Sequence, residues 1–417
     1  MVPNGWEWTN LGKLTNKVGS GVTPKGGSNS YKSSGIPLIR SQNVLWGTLD
    51  LKDVAFIDDS QHEKMKGSVV CKGDVLLNIT GASIGRAAVS NLDEANVNQH
   101  VCIIRSDKLD PEFLRDFLLS FNGQKQIEQF QAGGNRQGLN FEQIKSFKLP
   151  LPPLSEQRKI AKILSTWDKA ISTTKRLIDN SKQQKKALMQ QLLAGKKRLL
   201  DDSGKPFEGQ WEDLYLHDVA KIIVSPVDKK IVEGEIPVEL CNYTDVYYNT
   251  RITNSIEFMK ATAKQSEIDK YTLQVNDVII TKDSETPGDI AIPALVSEDL
   301  GGTVCGYHLA IIRPNSQLVE GAYLNYLFSM QKTRYYFFTL ATGATRFGLS
   351  IGGINKAHFT LPPLEEQQRI AAVLTNSDRE IELLEQQLAD LKQEKKALMQ
   401  QLLTGKRRVK LDDKEVA

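Results

Sequence analysis

Cysteine is scarce in this 417-residue chain: Cys71, Cys102, Cys241 and Cys305 stand far apart. With no paired spacing they suggest neither a zinc site nor a disulfide framework, and they are expected to be small core residues. Long apolar runs are absent too. No stretch reaches the ~18 apolar residues of a membrane span, and Met1-Val-Pro-Asn-Gly-Trp6 lacks the basic-then-apolar pattern of a secretory signal. The chain is therefore expected to be cytoplasmic, with no membrane partner. Catalytic signatures are missing as well: no Walker loop, no His-Glu-x-x-His and no Gly-x-Ser-x-Gly. A stray Glu394-x-Lys396 has no partnering aspartate, and His100 and His308, which each open an apolar run, are expected in core or sheet-end roles. The sequence thus predicts no catalytic residue and no metal site on this chain.

Charge of one sign is not in surplus either, since 53 Lys and Arg face 50 Asp and Glu. The balance is uneven along the chain: 17 − 15 = +2 over 1–150, 12 − 5 = +7 over 151–204, 14 − 19 = −5 over 205–360 and 10 − 11 = −1 over 361–417. A free-standing nucleic-acid binder is usually more basic. If the chain meets DNA, its contacts must be locally clustered, or a partner must supply much of the phosphate neutralisation.

What the chain does have is repetition. Leu151-Pro-Pro-Leu-Ser-Glu-Gln-Arg-Lys-Ile-Ala161 returns as Leu361-Pro-Pro-Leu-Glu-Glu-Gln-Gln-Arg-Ile-Ala371, and Lys185-Lys-Ala-Leu-Met-Gln-Gln-Leu-Leu-Ala-Gly-Lys196 returns as Lys395-Lys-Ala-Leu-Met-Gln-Gln-Leu-Leu-Thr-Gly-Lys406. Both pairs are offset by 210 residues. A duplication of this kind sets the architecture, and it calls for two related sites.

The segment from Ser155 to about Ala194 reads as one long helix. Pro152 and Pro153 precede it, Ser155 is a candidate cap, and Gly195 followed by Lys196-Lys-Arg198 is a stop signal. Its seam steps by four and three through Ile160, Leu164, Trp167, Ile171, Thr174, Ile178, Ser181, Lys185, Leu188 and Leu192. The second copy runs through Ile370, Leu374, Ser377, Ile381, Leu384, Leu388, Leu391, Lys395, Leu398 and Leu402. A period of 3.5 held this long argues for a coiled coil. Each helix leaves a globular segment, so the pairing is expected to be antiparallel, with the segments at opposite ends of a rod of about 60 Å and related by an approximate two-fold axis. Aligned ends would set Trp167 opposite Lys395 and Lys185 opposite Ser377, a Lys stem packing on the indole while its ammonium reaches water.

The globular segments match in order. Trp6-Glu-Trp answers Trp211-Glu-Asp, Gly73-Asp-Val-Leu-Leu77 answers Asn276-Asp-Val-Ile-Ile280, and His100-Val-Cys-Ile-Ile-Arg105 answers His308-Leu-Ala-Ile-Ile-Arg313. Strand-like runs alternate with Gly-, Ser- and Asn-rich loops, and helical patches follow at Pro111–Phe121 and Gly321–Met330. The expected fold class is α+β. The domains are 1–150, 206–360 and, between and after them, the helical segments 151–205 and 361–417.

Polar loops carry the recognition candidates. In the first segment these are Arg40, Gln42 and Asn43; Thr80, Ser83 and Arg86; and Asn135, Arg136 and Gln137. In the second they are Arg251, Lys282, Asp283, Ser284, Thr345 and Arg346. Arg pairs bidentately with guanine, and Asn or Gln with adenine, in the major groove. Any one of them could instead clamp phosphate or be a solvated loop residue.

Pro-Pro-Leu-x-Glu-Gln-x-x-Ile-Ala at Pro152–Ala161 and Pro362–Ala371, each entering a heptad helix that ends in Leu-Leu-x-Gly-Lys, resembles the specificity subunit of Type I restriction–modification systems. The resemblance covers essentially the whole chain. It implies two target recognition domains, each reading one half of a split, asymmetric site in double-stranded DNA. The coiled-coil helices would set the spacer and dock two modification subunits, which carry S-adenosylmethionine and methylate adenine. Restriction subunits, using ATP and Mg, would join the full complex for phage defence. This chain would be no enzyme and hold no cofactor. The rivals are a coiled-coil scaffold without DNA binding and a specificity subunit of a modification-only complex. A methyltransferase acting alone would need an Asn/Asp-Pro-Pro-Tyr/Phe motif, whereas Leu154 and Leu364 follow the Pro pairs here.

Overall fold

The computed structural model describes residues 2–131 and 138–411. The chain divides into two units, one combining Met1–Arg176 with Glu385–Ala417 and the other comprising Leu177–Leu384. Two helices of equal length, Leu154–Leu192 and Leu364–Leu402, are shared between them. Each unit therefore contains one globular part, the start of one long helix and the end of the other.

Within each unit the two helix portions run antiparallel. In the first, Lys395 Nζ meets Asp168 Oδ1 at 2.6 Å while Arg408 reaches back to Glu156. In the second, Lys185 pairs with Asp378 and Arg198 with Glu366. All ten seam positions of each helix are buried or half-buried, whereas Leu177 and Leu383, off the seam, are 45% and 65% exposed. The register sets Lys395 beside Asp168, one residue from Trp167. The Lys395 ammonium, expected to reach water, takes Asp168 as an ion-pair partner, and Lys185 likewise takes Asp378, with its ammonium 5.3 Å from the Tyr326 ring centre. A half-buried ammonium gains more from a carboxylate than from an aromatic face.

The helices begin at Leu154 and Leu364, one residue earlier than Ser155 and its repeat would place them. The Pro153 and Pro363 carbonyls accept from Gln157 and Gln367 N–H, so the prolines occupy the cap position assigned to Ser155. At the far ends Gly195 (φ 64°) and Gly405 (φ 72°) adopt the left-handed conformation. Lys197 and Arg407 then donate N–H to the Gln191 and Gln401 carbonyls, which satisfies orphan acceptors.

This geometry explains why the repeated motif is Glu-Gln. Glu366 is fully buried and accepts two hydrogen bonds of 2.7 Å from Arg198, whose guanidinium lies 5.9 Å from the Trp211 ring centre. Its counterpart Glu156 accepts from Arg408 and, at 3.1 Å, from Trp6 Nε1. Gln157 accepts from Asp110 N–H and donates to the Pro152 carbonyl. Gln367 does the same with Glu320 N–H and the Pro362 carbonyl. Each motif thus ties one helix start to the tail beyond the other helix and to the N-terminus of a globular-domain helix, Pro111–Leu119 or Gly321–Ser329.

Each globular part is α+β. A two-stranded antiparallel ribbon joins its ends: Glu7–Asn10 with Lys148–Leu151, and Glu212–Tyr215 with His358–Leu361. The first unit has an antiparallel sheet in the order Lys17–Ser20, Val101–Arg105, Val75–Asn78, Ala87–Val89, and a second, mixed sheet of four strands. The second unit has a five-stranded sheet, Ala220–Val224, Leu309–Pro314, Val278–Thr281, Pro293–Val296, Arg251–Ile252, beside a three-stranded one. The shared Gly/Asn-Asp-Val signature has a local cause. Gly73 (φ 89°) and Asn276 (φ 79°) make the same left-handed turn, and Asp74 and Asp277, both buried, accept bidentately from Arg105 and Arg313 at 2.6–2.9 Å. Cys102, Cys241 and Cys305 are buried, and burial pushes the Cys102 thiol up to about 12; Cys71 is half-buried.

Candidate nucleic-acid interface

In both units three loop segments meet at one end of the central strands. Ile79 N–H donates to the His100 carbonyl and Leu139 N–H to the Ile79 carbonyl; Lys282 N–H donates to His308 and Leu349 N–H to Lys282. This shared backbone knot sets different side chains in the same place. In the first unit His100 Nδ1 lies 2.5 Å from Thr80 Oγ1, with Gln99 and Thr23 beside it. In the second, His308 Nδ1 lies 2.6 Å from a carboxylate, Asp283 Oδ1.

The second cluster is the more highly charged. Asp283, 10% exposed, also accepts from Lys282 Nζ at 2.8 Å and faces Arg346 Nε at 3.3 Å. Arg346 Nη2 lies 3.2 Å from His308 Nε2. Lys282 is 5.5 Å from the Tyr307 ring centre. Tyr243 stacks on Tyr247 and donates its hydroxyl to Ser284, and burial raises the Tyr243 phenol.

Of the residues expected to contact DNA, Lys282, Ser284 and Arg346 join this cluster, with Thr345 exposed next to Arg346, and Thr80 joins the first. Arg251 does not: it lies on an edge strand, near enough to the Tyr326 phenol to influence it. Asn43 is buried, and its amide accepts from Arg40 N–H and donates to the Asp50 carbonyl, so it shapes its loop instead of offering an edge to a base. Arg40 donates to the Asp53 carbonyl and lies over the Tyr31 ring, while Gln42 beside it is exposed. Ser83 and Arg86 are half-buried in one turn, joined by Arg86 N–H to the Ser83 carbonyl. Asn135, Arg136 and Gln137 lie outside the described residues. The two histidines, read from sequence as structural, stand at the centre of both clusters. The signal for that role was their repetition at matched positions next to the recognition loops. Among the described residues no group of His, Cys, Asp and Glu could hold a metal ion, and no helix is long and apolar enough to cross a membrane.

Two α+β globular parts, each tied to a copy of the same helix-start motif and each carrying its own polar cluster, define a duplicated recognition protein. The family model for the Type I restriction modification DNA specificity domain matches residues 3–181 and again 208–393, and the chain belongs to this family. It is 27% identical to the putative type I restriction enzyme MjaX specificity subunit of Methanocaldococcus jannaschii, covering 98% of this chain and 95% of that one. It is 23% identical to the EcoKI specificity subunit of Escherichia coli K12, over 88% and 81% of the two chains. Among solved structures it is similar to the HsdS subunit from Thermoanaerobacter tengcongensis, with a TM-score of 0.53, 21% identity and coverage of 97% and 98%. The type I S subunit from M. genitalium matches with a TM-score of 0.58, 14% identity and coverage of 97% and 98%.

Proposed function

We propose that this chain is the DNA-reading, non-catalytic specificity subunit of a Type I restriction–modification complex, with each globular part reading one half of a bipartite, asymmetric site. The observation that carries this reading is the contrast between the repeats. The starts and ends of the long helices repeat closely in the two halves, down to the Glu366–Arg198 and Glu156–Arg408 pairs, while the clusters at the strand ends differ in chemistry. A protein that met one partner twice would have no reason to diverge there. One that read two different half-sites from a common frame would.

The proposal extends to partners. Two modification subunits dock on the helical frame, bring S-adenosylmethionine and methylate one adenine in each half-site; restriction subunits supply ATP- and Mg-dependent cleavage. The complex works in the cytoplasm, where its DNA is. The test is a map of adenine methylation across a genome, with this chain expressed beside its modification subunit. A single split motif that disappears without this chain supports the reading. A soluble complex that yields no chain-dependent methylation overturns it in favour of a scaffold.

A further inference from the structure

Resting on that reading, we infer that Arg346 is a specificity-determining residue, that it reads one guanine of the second domain's half-site, and that Asp283 and His308 position it.

The argument starts from the loop. Thr342 and Gly348 exchange backbone hydrogen bonds (3.1 and 3.0 Å), closing a tight turn whose outgoing strand pairs with Asp283–Ser284. Gly343 sits at φ 147°, and a Cβ there would lie 1.8 Å from the Arg346 carbonyl oxygen, so the chain folds closely over Arg346. The backbone that carries this residue is thereby fixed.

The side chain is held as well. His308 Nδ1 stands 2.6 Å from the buried Asp283 carboxylate and donates to it, which fixes the orientation of the imidazole ring. Arg346 Nη2 lies over that ring, 3.2 Å from Nε2 and 3.3 Å from Nδ1, and the same carboxylate faces Arg346 Nε at 3.3 Å. The guanidinium is gripped along its Nε side. Its end-on edge, formed by Nη1 and the second N–H of Nη2, remains for a ligand, and the side chain is 56% exposed. Two parallel N–H donors on that edge match the O6 and N7 acceptors of guanine in the major groove.

A phosphate clamp fits these surroundings less well. A carboxylate beside the cation weakens its pull on a phosphate, and the second domain already carries a net charge of 14 − 19 = −5 over 205–360. Orientation is what the carboxylate supplies, and a bidentate base contact is what requires orientation. The first unit has Thr80 where the second has Asp283, so it does not build this grip and is expected to read a different base there.

The experiment uses the whole specificity–modification complex and duplexes bearing the motif mapped for the unaltered chain. Each guanine is replaced in turn by adenine, and separately by 7-deazaguanine, which lacks N7. One guanine in one half-site should show a loss of roughly 5- to 150-fold in affinity on replacement by adenine, about 1–3 kcal/mol, and a smaller loss with 7-deazaguanine. In Arg346→Ala and Arg346→Lys complexes that penalty should vanish, and the methylated motif should become degenerate at that position with the other half-site intact. Weakening of all sequences alike, with an intact motif and a salt dependence reduced by about one phosphate, overturns the inference in favour of a phosphate contact. So does an unchanged motif. The 7-deazaguanine scan on the unaltered chain needs no variant, and insensitivity at every guanine also overturns it. If the unaltered chain directs no motif at all, it is the proposed function that fails.

Discussion

Removing Arg198 should destabilise the second unit more than removing Arg408 destabilises the first, although the two residues repeat one another. Glu366 is fully buried, and Arg198, 27% exposed, donates two hydrogen bonds to its carboxylate and a third to the Gly209 carbonyl. Arg198→Met strands that carboxylate. Breaking a buried pair from one side costs about 3–5 kcal/mol, and partial access of water places this case near 3. Trp211 adds a cation–π contact but no donor, because its Nε1 is buried without a partner. In the twin site Glu156 keeps the Trp6 Nε1 hydrogen bond when Arg408 is removed, and Arg408 is 44% exposed, so the loss there is smaller. The assay is urea unfolding followed by far-UV circular dichroism on Arg198→Met, Arg408→Met and the pair Arg198→Met with Glu366→Gln. The double variant should recover on the order of 2 kcal/mol of the single variant's loss, since a neutral amide is cheaper to bury than a lone carboxylate. Equal losses at the two sites, or a loss below about 1 kcal/mol for Arg198→Met, would refute this account of the repeated Glu.

Three further outcomes are expected. Burial raises the Asp116 carboxyl to about 6 against the pull of Arg115, and its Oδ2 has no partner. Its folded pKa therefore exceeds the unfolded value of 3.8, the native state holds the proton longer, and stability falls as pH rises from ~4 to ~6 by about 3 kcal/mol. In Asp116→Asn, unfolding midpoints across that range should lack this decline. Tyr326→Phe removes the 2.6 Å hydrogen bond to Asp378 that also faces Lys185, and should cost about 1 kcal/mol in the same urea assay. Gly343→Ala should loosen the turn over Arg346, giving a methylation motif degenerate where Arg346→Ala is degenerate while modification-subunit binding, measured by size-exclusion chromatography, is retained.

The duplication and the heptad seam were legible because both are written in local order. Apolar residues at steps of three and four report a helix face directly, and the seam positions are the buried ones. The Gly73/Asn276 turns and their buried Asp–Arg pairs could be aligned from sequence for the same reason. What escaped were pairings between distant segments. Glu156 and Glu366 were visible as parts of a repeated motif at two helix starts, but not their partners: their carboxylates meet arginines 252 and 168 residues away in the chain. Their duplication therefore partly reflects a frame that closes on itself. Lys395 was expected beside Trp167, and its ion pair is with the neighbouring Asp168, a partner that the apolar seam does not report. Asn43 has the side chain of a base reader, but its burial follows from a turn that no short window predicts. His100 and His308 were visible as repeated residues. Their partners, Thr80 and Asp283, are set by the knot of backbone bonds that brings three loops together.

The central claim is that two different readers sit on one repeated frame. The most direct test replaces residues 206–360 with the corresponding segment of another member of the family, coexpresses the chimera with the modification subunit and maps adenine methylation. The account predicts that one half-site stays as it was, the other changes to that of the donor, and the complex still assembles. A motif altered in both halves, or left unaltered in both, would contradict it.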